Sequence, residues 1–279
     1  MSISIQSNAK INLALYINHK RDDGYHDIST LMQEINFSDE IIISKNQNNK
    51  INIYSKGIKT PTDKTNLCYI AAAAFLHTFN INDGVNITIH KKIPIGAGLG
   101  GGSSNAISTI KALGVIFEID IDSHNLFSMA TTIGADVPFF IDGCLQYAEG
   151  IGHDLQPLPP LFKPYFFLLI LPKISISTLW AYDEYKKYLE NQSNQSKFHP
   201  LSSRELDWSL LGNDFEKVVL STYPEIKRIK DDLQNNGSLF SSLSGSGSTM
   251  FGVYDNLESV RKSSDLFNEY QTYEALPVY

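Results

Sequence analysis

Five glycines fall within seven residues of the run Pro94-Ile95-Gly96-Ala97-Gly98-Leu99-Gly100-Gly101-Gly102-Ser103-Ser104. Positions without side chains let the backbone approach a ligand closely. Ala106, Ile107, Ile110 and Leu113 follow at helical spacing, so the run opens a helix. A helix N-terminus presents unpaired N–H groups and the positive end of its dipole. Phosphate is the natural occupant of such a cradle. Ser103 and Ser104 add hydroxyls that can donate to phosphate or face a magnesium ion. No lysine follows the glycines, so this is not a P-loop, and the acid of a dinucleotide fingerprint has no obvious place. The plain alternative is a flexible connector, but a connector rarely joins a clean strand directly to a clean helix.

The elements around this loop are legible from periodicity. Ile11, Leu13, Leu15 and Ile17 alternate as a half-buried strand, with Lys10 and Asn12 on the opposite face. Ile41-Ile42-Ile43 and Ile51-Asn52-Ile53-Tyr54 flank a polar Asn46-Gln47-Asn48-Asn49 turn, which predicts a hairpin. Leu67, Ile70, Ala71, Ala74, Phe75 and Thr78 predict a helix capped by Asn66. Val85, Ile87 and Ile89 predict the strand before the glycine loop, and Leu126 to Ile133 a helix ending at Gly134. Pro157, Pro159 and Pro160 mark a boundary that divides the chain into 1–156 and 157–279. The second half opens on an apolar strand, Tyr165 to Leu171, and carries a polar surface stretch at 191–203. A strand pair then surrounds Ser244-Gly245-Ser246-Gly247, and Asn256 caps a final helix. The fold class is α+β in two lobes: a mixed or antiparallel sheet with the loop and its helix, then a sandwich-like lobe.

With 279 residues, 42% hydrophobic and 19% charged, the chain can bury a large core. A net charge of −7 argues against broad nucleic-acid binding but not against a local anion site. Two cysteines, Cys68 and Cys144, suit a reducing interior and make no disulfide framework. His19, His77, His90, His124, His153 and His199 lack ligand spacing, so a structural metal is not expected. The sequence shows neither a signal peptide nor a membrane span, which predicts a cytoplasmic protein with no membrane partner. It does not set an oligomeric state.

Run together, four segments resemble the GHMP kinases. The glycine run is similar to their phosphate-binding loop, and Leu243-Ser244-Gly245-Ser246-Gly247 to their third motif, with Ser where Thr is common. Ala9-Lys10-Ile11-Asn12-Leu13 with Arg21-Asp22-Asp23-Gly24-Tyr25-His26, and Gly134-Ala135-Asp136-Val137-Pro138-Phe139-Phe140, narrow the resemblance. They match the branch that phosphorylates a cytidine-diphosphate-linked methylerythritol in non-mevalonate isoprenoid precursor synthesis. The resemblance implies ATP as co-substrate, bringing Mg2+ with it, and no metal ligands of the protein are assigned. It implies catalytic roles for Asp136, as general base, and Lys10, as the stabilising cation. On the residues alone, Asp136 could equally organise the turn before Pro138, and Lys10 could be a solvated strand lysine. The resemblance places ATP on residues 94–104, Pro94 through Ser104, with Asn66 and Lys91 toward the adenine. Asn66 could instead only cap its helix, and Lys92 could exchange roles with Lys91. Asn12, Tyr25, His26 and Tyr182 are implied on the cytidine side, with Trp180 competing for the place of Tyr182. A mevalonate or homoserine kinase would keep the loop but lack Asp-Gly-Tyr-His. A ligand sensor on the same scaffold would lose Asp136.

Overall fold

The computed structural model describes residues 2–21, 24–160, 165–190 and 207–279. Asp22, Asp23 and the polar stretch at 191–203 lie outside the described residues. The chain forms two compact units. One draws on Met1–Ala9, Ser38–Ile95 and Gly100–Asp142, the other on Lys10–Phe37, Gly96–Leu99 and Gly143–Tyr279. This partition differs from the halves 1–156 and 157–279, because two long strands, β1 (Ser2–Lys20) and β2 (His26–Asn46), each contribute to both units.

In the first unit, β3 (Ile51–Gly57), α1 (Leu67–Thr78) and β4 (Gly84–Lys91) make a parallel crossover, with Ile53 opposite Ile87. The other edge of β4 pairs antiparallel with β2, Ile43 opposite Ile87. The hairpin expected from the sequence therefore does not form, because β4 lies between its two arms. The reason is burial: Val85, Ile87 and Ile89 are all inside, and a central β4 gives each apolar arm a paired edge. The polar turn is held locally instead, with Asn46 Nδ2 donating to the Lys50 carbonyl at 2.8 Å. Asn66 caps α1 as expected, its side-chain oxygen accepting from the Cys68 N–H. The glycine loop leads into α2 (Gly101–Phe117), followed by α3 (Ser123–Ile133) and the single turn α4 (Phe139–Asp142). Phe75 of α1 is fully buried, and burial of such a side chain contributes about 1.5–3 kcal/mol.

The second unit continues with β5 (Leu145–Glu149), β6 (Asp154–Pro157), β7 (Phe166–Leu171), α5 (Thr178–Glu190), α6 (Glu216–Thr222) and α7 (Pro224–Asn235). It ends with β8 (Phe240–Leu243), β9 (Met250–Tyr254), α8 (Leu257–Ser264) and β10 (Gln271–Ala275). β2 pairs with β5 and β5 with β6, all antiparallel. A separate antiparallel sheet has the order β10-β7-β9-β8. β7 and β9 are central there, which explains why both read as continuous apolar runs. Ile226, Ile229 and Leu233 of α7 pack with Leu168, Ile170 and Tyr254 in one core. Asn256 caps α8 as expected, but β10 follows it and pairs with β7.

Candidate active site

The glycine loop has a backbone that most residues could not follow. Gly98 has φ +78°, and a Cβ there would strike the Ser244 carbonyl oxygen. The two glycine motifs are thus in backbone contact, and Ser244 Oγ donates to the Gly98 carbonyl at 2.8 Å. Gly100, also left-handed at φ 66°, is the N-cap of α2, and no side chain caps that terminus. This is the arrangement that leaves a helix N-terminus to a ligand. Ser104 is buried with its hydroxyl 2.8 Å from Ser7 Oγ, whereas Ser103 is only half-buried.

Lys10 and Asn12 share a face of β1, but that face is not solvated. Both side chains are buried, and Lys10 Nζ donates to Asn12 Oδ1 at 2.6 Å. Asn12 Nδ2 donates to Thr30 Oγ1 at 2.8 Å, and Thr30 Oγ1 donates to the Ala14 carbonyl at 2.7 Å. Each donor is therefore aimed by the next acceptor. The Lys10 N–H bonds the Leu99 carbonyl at 3.0 Å, so the β1 backbone is tied to the glycine loop. The Asn12 N–H reaches Ser244 Oγ at 3.3 Å, joining the third motif to the same place.

Tyr25 is 60% exposed. His26 lies flat on Tyr182, ring centroids 4.7 Å apart and 11° from parallel. Tyr182 meets Phe215 edge-on at 4.9 Å. Trp180 packs against Tyr223 instead, at 5.4 Å, so the structure puts Tyr182 and not Trp180 on His26. Asp136 sits half-buried in the turn between α3 and α4, in the first unit. Lys111 holds α4, which follows that turn, donating to the carbonyls of Phe140 and Ile141 at 3.1 and 2.8 Å.

Asn66 and Lys91 are both engaged in the protein. Asn66 accepts from Cys68 and donates to the Pro61 carbonyl at 2.6 Å. Lys91 is buried and ion-paired to Asp39, while Lys92 is the exposed member of the pair. Sequence reasoning missed Asp39 and Asn105, which share that buried network, and also missed Asn213 and Asp214. Asn213 Nδ2 donates to the carbonyls of Leu243 and Gly245 at 2.7 and 2.8 Å. Asp214 accepts the Ile17 N–H at 2.8 Å. The only signal in the sequence was a polar pair, Asn213-Asp214, between apolar Leu211 and Phe215.

Residues 66–144 match the family model described as GHMP kinases N terminal domain, and residues 198–265 match GHMP kinases C terminal. The architecture and the glycine loop are those of a GHMP kinase. A 4-diphosphocytidyl-2-C-methyl-D-erythritol kinase of Prosthecochloris aestuarii is 40% identical over 269 residues, covering 95% of this chain and 93% of that protein. One from Thermodesulfovibrio yellowstonii is 40% identical over 272 residues, covering 94% and 93%. The crystal structure of a 4-(cytidine 5'-diphospho)-2C-methyl-D-erythritol kinase superposes with a TM-score of 0.85 at 27% identity, covering 99% of this chain and 100% of that one. The chain belongs to the 4-diphosphocytidyl-2-C-methyl-D-erythritol kinase family.

Proposed function

We propose that this kinase transfers the γ-phosphoryl group of ATP to the 2-hydroxyl of 4-diphosphocytidyl-2-C-methyl-D-erythritol, in the cytoplasm. The observation that carries the choice of acceptor is the flat His26–Tyr182 stack next in sequence to the exposed Tyr25. Aromatic faces of this kind suit a nucleobase, which mevalonate and homoserine lack. In this reading residues 1–156 and 157–279 are the N- and C-terminal GHMP kinase domains.

Backbone N–H groups of the loop 94–104 and the α2 dipole hold the phosphates of ATP. Asn66 and Lys91 act toward the adenine by shaping the walls, since their polar atoms are engaged in the protein. Asp136 takes the proton of the acceptor hydroxyl as its oxygen bonds to the γ-phosphorus. The bond from that phosphorus to the β,γ-bridging oxygen breaks, and ADP leaves. Lys10, aimed by Asn12, stabilises the charge that develops. Asn12, Tyr25, His26 and Tyr182 orient the cytidine substrate.

Among the described residues no group of three or more His, Cys, Asp or Glu side chains could hold a metal ion. Magnesium in this reading comes on ATP, where it supplies charge neutralisation of the phosphates. Among the described residues no helix is long and apolar enough to cross a membrane. An ATP-dependent transfer assay offering the cytidine-linked alcohol, mevalonate and homoserine tests the proposal. Turnover confined to the first supports it, and turnover confined to either of the others overturns it.

A further inference from the structure

Asp39 has no accessible surface. Its Oδ1 accepts the N–H groups of Lys92 and Ile93, at 2.7 and 2.9 Å. Its Oδ2 accepts from Lys91 Nζ and, at 2.9 Å, from Asn105 Nδ2. Lys92 and Ile93 directly precede the glycine loop, and Asn105 directly follows it. One side chain therefore grips the chain on both sides of residues 94–104.

The partners extend the grip. Lys91 Nζ also reaches Asn105 Oδ1 at 3.3 Å and lies under the start of α2. A Cβ at Gly101 would come within 2.8 Å of that nitrogen and 2.7 Å of Ile93 Cγ2, so only glycine lets the helix settle there. Asn105 Nδ2 also donates to Ser7 Oγ at 2.8 Å, and that hydroxyl meets Ser104 Oγ at 2.8 Å. The last residue of the loop is thereby oriented from the same network.

We propose that Asp39 is a positioning residue for nucleotide binding, a buried carboxylate that fixes the two ends of the glycine loop in the geometry its ligand requires. The proposal rests on the reading of residues 94–104 as the ATP site. A glycine-rich segment loses more conformational freedom on ordering than any other. Fixing its ends beforehand removes part of that cost from binding. A carboxylate suits the task better than an amide because all four of its neighbours are donors, one of them a cation. In Asp39→Asn, an amide nitrogen would have to face either the two backbone N–H groups or the Lys91 and Asn105 donors. The Lys91 charge would also lose its counter-ion in a buried place.

The test is calorimetric titration of the full chain with the magnesium complex of a non-hydrolysable ATP analogue and, separately, with the cytidine substrate. Asp39→Asn is expected to weaken the analogue roughly tenfold or more, with the cytidine substrate changed less than about twofold. The swap Asp39→Asn with Asn105→Asp keeps Lys91 beside a carboxylate and re-pairs positions 39 and 105, the new amide donating to the new carboxylate, while only the Lys91 contact at position 39 stays mismatched. It is expected to recover analogue affinity to within about threefold of the parent. Should Asp39→Asn fail to fold, Asn105→Ala reads the same tie, since it leaves the Asp39–Lys91 pair and cuts the bonds from α2 to Asp39, Lys91 and Ser7. Its analogue affinity is expected to fall about threefold or more. Parent-like analogue affinity in a folded Asp39→Asn or in Asn105→Ala overturns the proposal, as does an equal loss for both ligands. A parent chain that binds the analogue but does not phosphorylate the cytidine alcohol sinks the assigned reaction and leaves this comparison intact.

Discussion

Tyr182 covers the face of His26 at a centroid distance of 4.7 Å. A base inserted between the two rings would have to push them apart. The pair therefore acts as one platform with an outer face, or it parts when the base enters. Phe215 meets Tyr182 edge-on and is itself fully packed, so the platform has a rigid back.

Removing the platform should weaken the cytidine substrate and leave ATP alone. Base stacking on an aromatic ring contributes about 1–3 kcal/mol, so Tyr182→Ala should raise its KM roughly tenfold. Steady-state kinetics with each substrate varied would show this. A larger effect from Trp180→Ala would move the base to the other aromatic.

Asp136→Asn should lower kcat by roughly 10²–10⁴-fold while nucleotide affinity holds, as loss of a general base does. Kinetics paired with calorimetry decide it. A large drop in ATP affinity at unchanged kcat would assign Asp136 to binding instead.

Asn213→Ala should destabilise the protein by about 1–3 kcal/mol in urea unfolding, because it strands the carbonyls of Leu243 and Gly245. Asn213→Asp should cost more, since a carboxylate oxygen would then face those carbonyls. An alanine variant as stable as the parent would mean that both carbonyls find other donors.

Burial pushes the Cys68 thiol from 9.0 up to about 11. The fold favours the neutral thiol, so its contribution is complete below pH 9.0 and fades as pH rises toward 11, where the unfolded chain has already ionised. The whole loss is about 3 kcal/mol. Urea unfolding across that window should fall less steeply for Cys68→Ala than for the parent. Parallel slopes would show that Cys68 does not contribute.

Local signals were the legible part of this fold. Asn66, Asn256 and Gly134 mark helix ends through chemistry acting over a few residues, and each does so in the structure. The strand Val85-Ile87-Ile89 was equally plain, but its neighbours were not. Nothing within Ile41–Tyr54 announces that a strand from Gly84–Lys91 will lie between its arms, because pairing is decided by burial far along the chain. The same distinction divides the site. Gly98 is readable as a glycine, but the carbonyl that demands it belongs to Ser244. Asp39 reads as an ordinary polar residue ahead of an isoleucine run, and only folding surrounds it with four donors.

That burial of Asp39 with Lys91 bears on how substrates arrive. Lys91, under the start of α2, has its charge cancelled inside the protein, and residues 94–104 carry none. Beside Lys10 and the exposed Lys92, the loop itself offers phosphate a set of N–H dipoles, whose pull fades over a much shorter range than that of a net charge. The chain as a whole is at −7 and repels polyanions at a distance. Encounter is then opposed until contact and rewarded only at contact, so the enzyme's selectivity for its anionic ligands resides in how long they stay rather than in how fast they come.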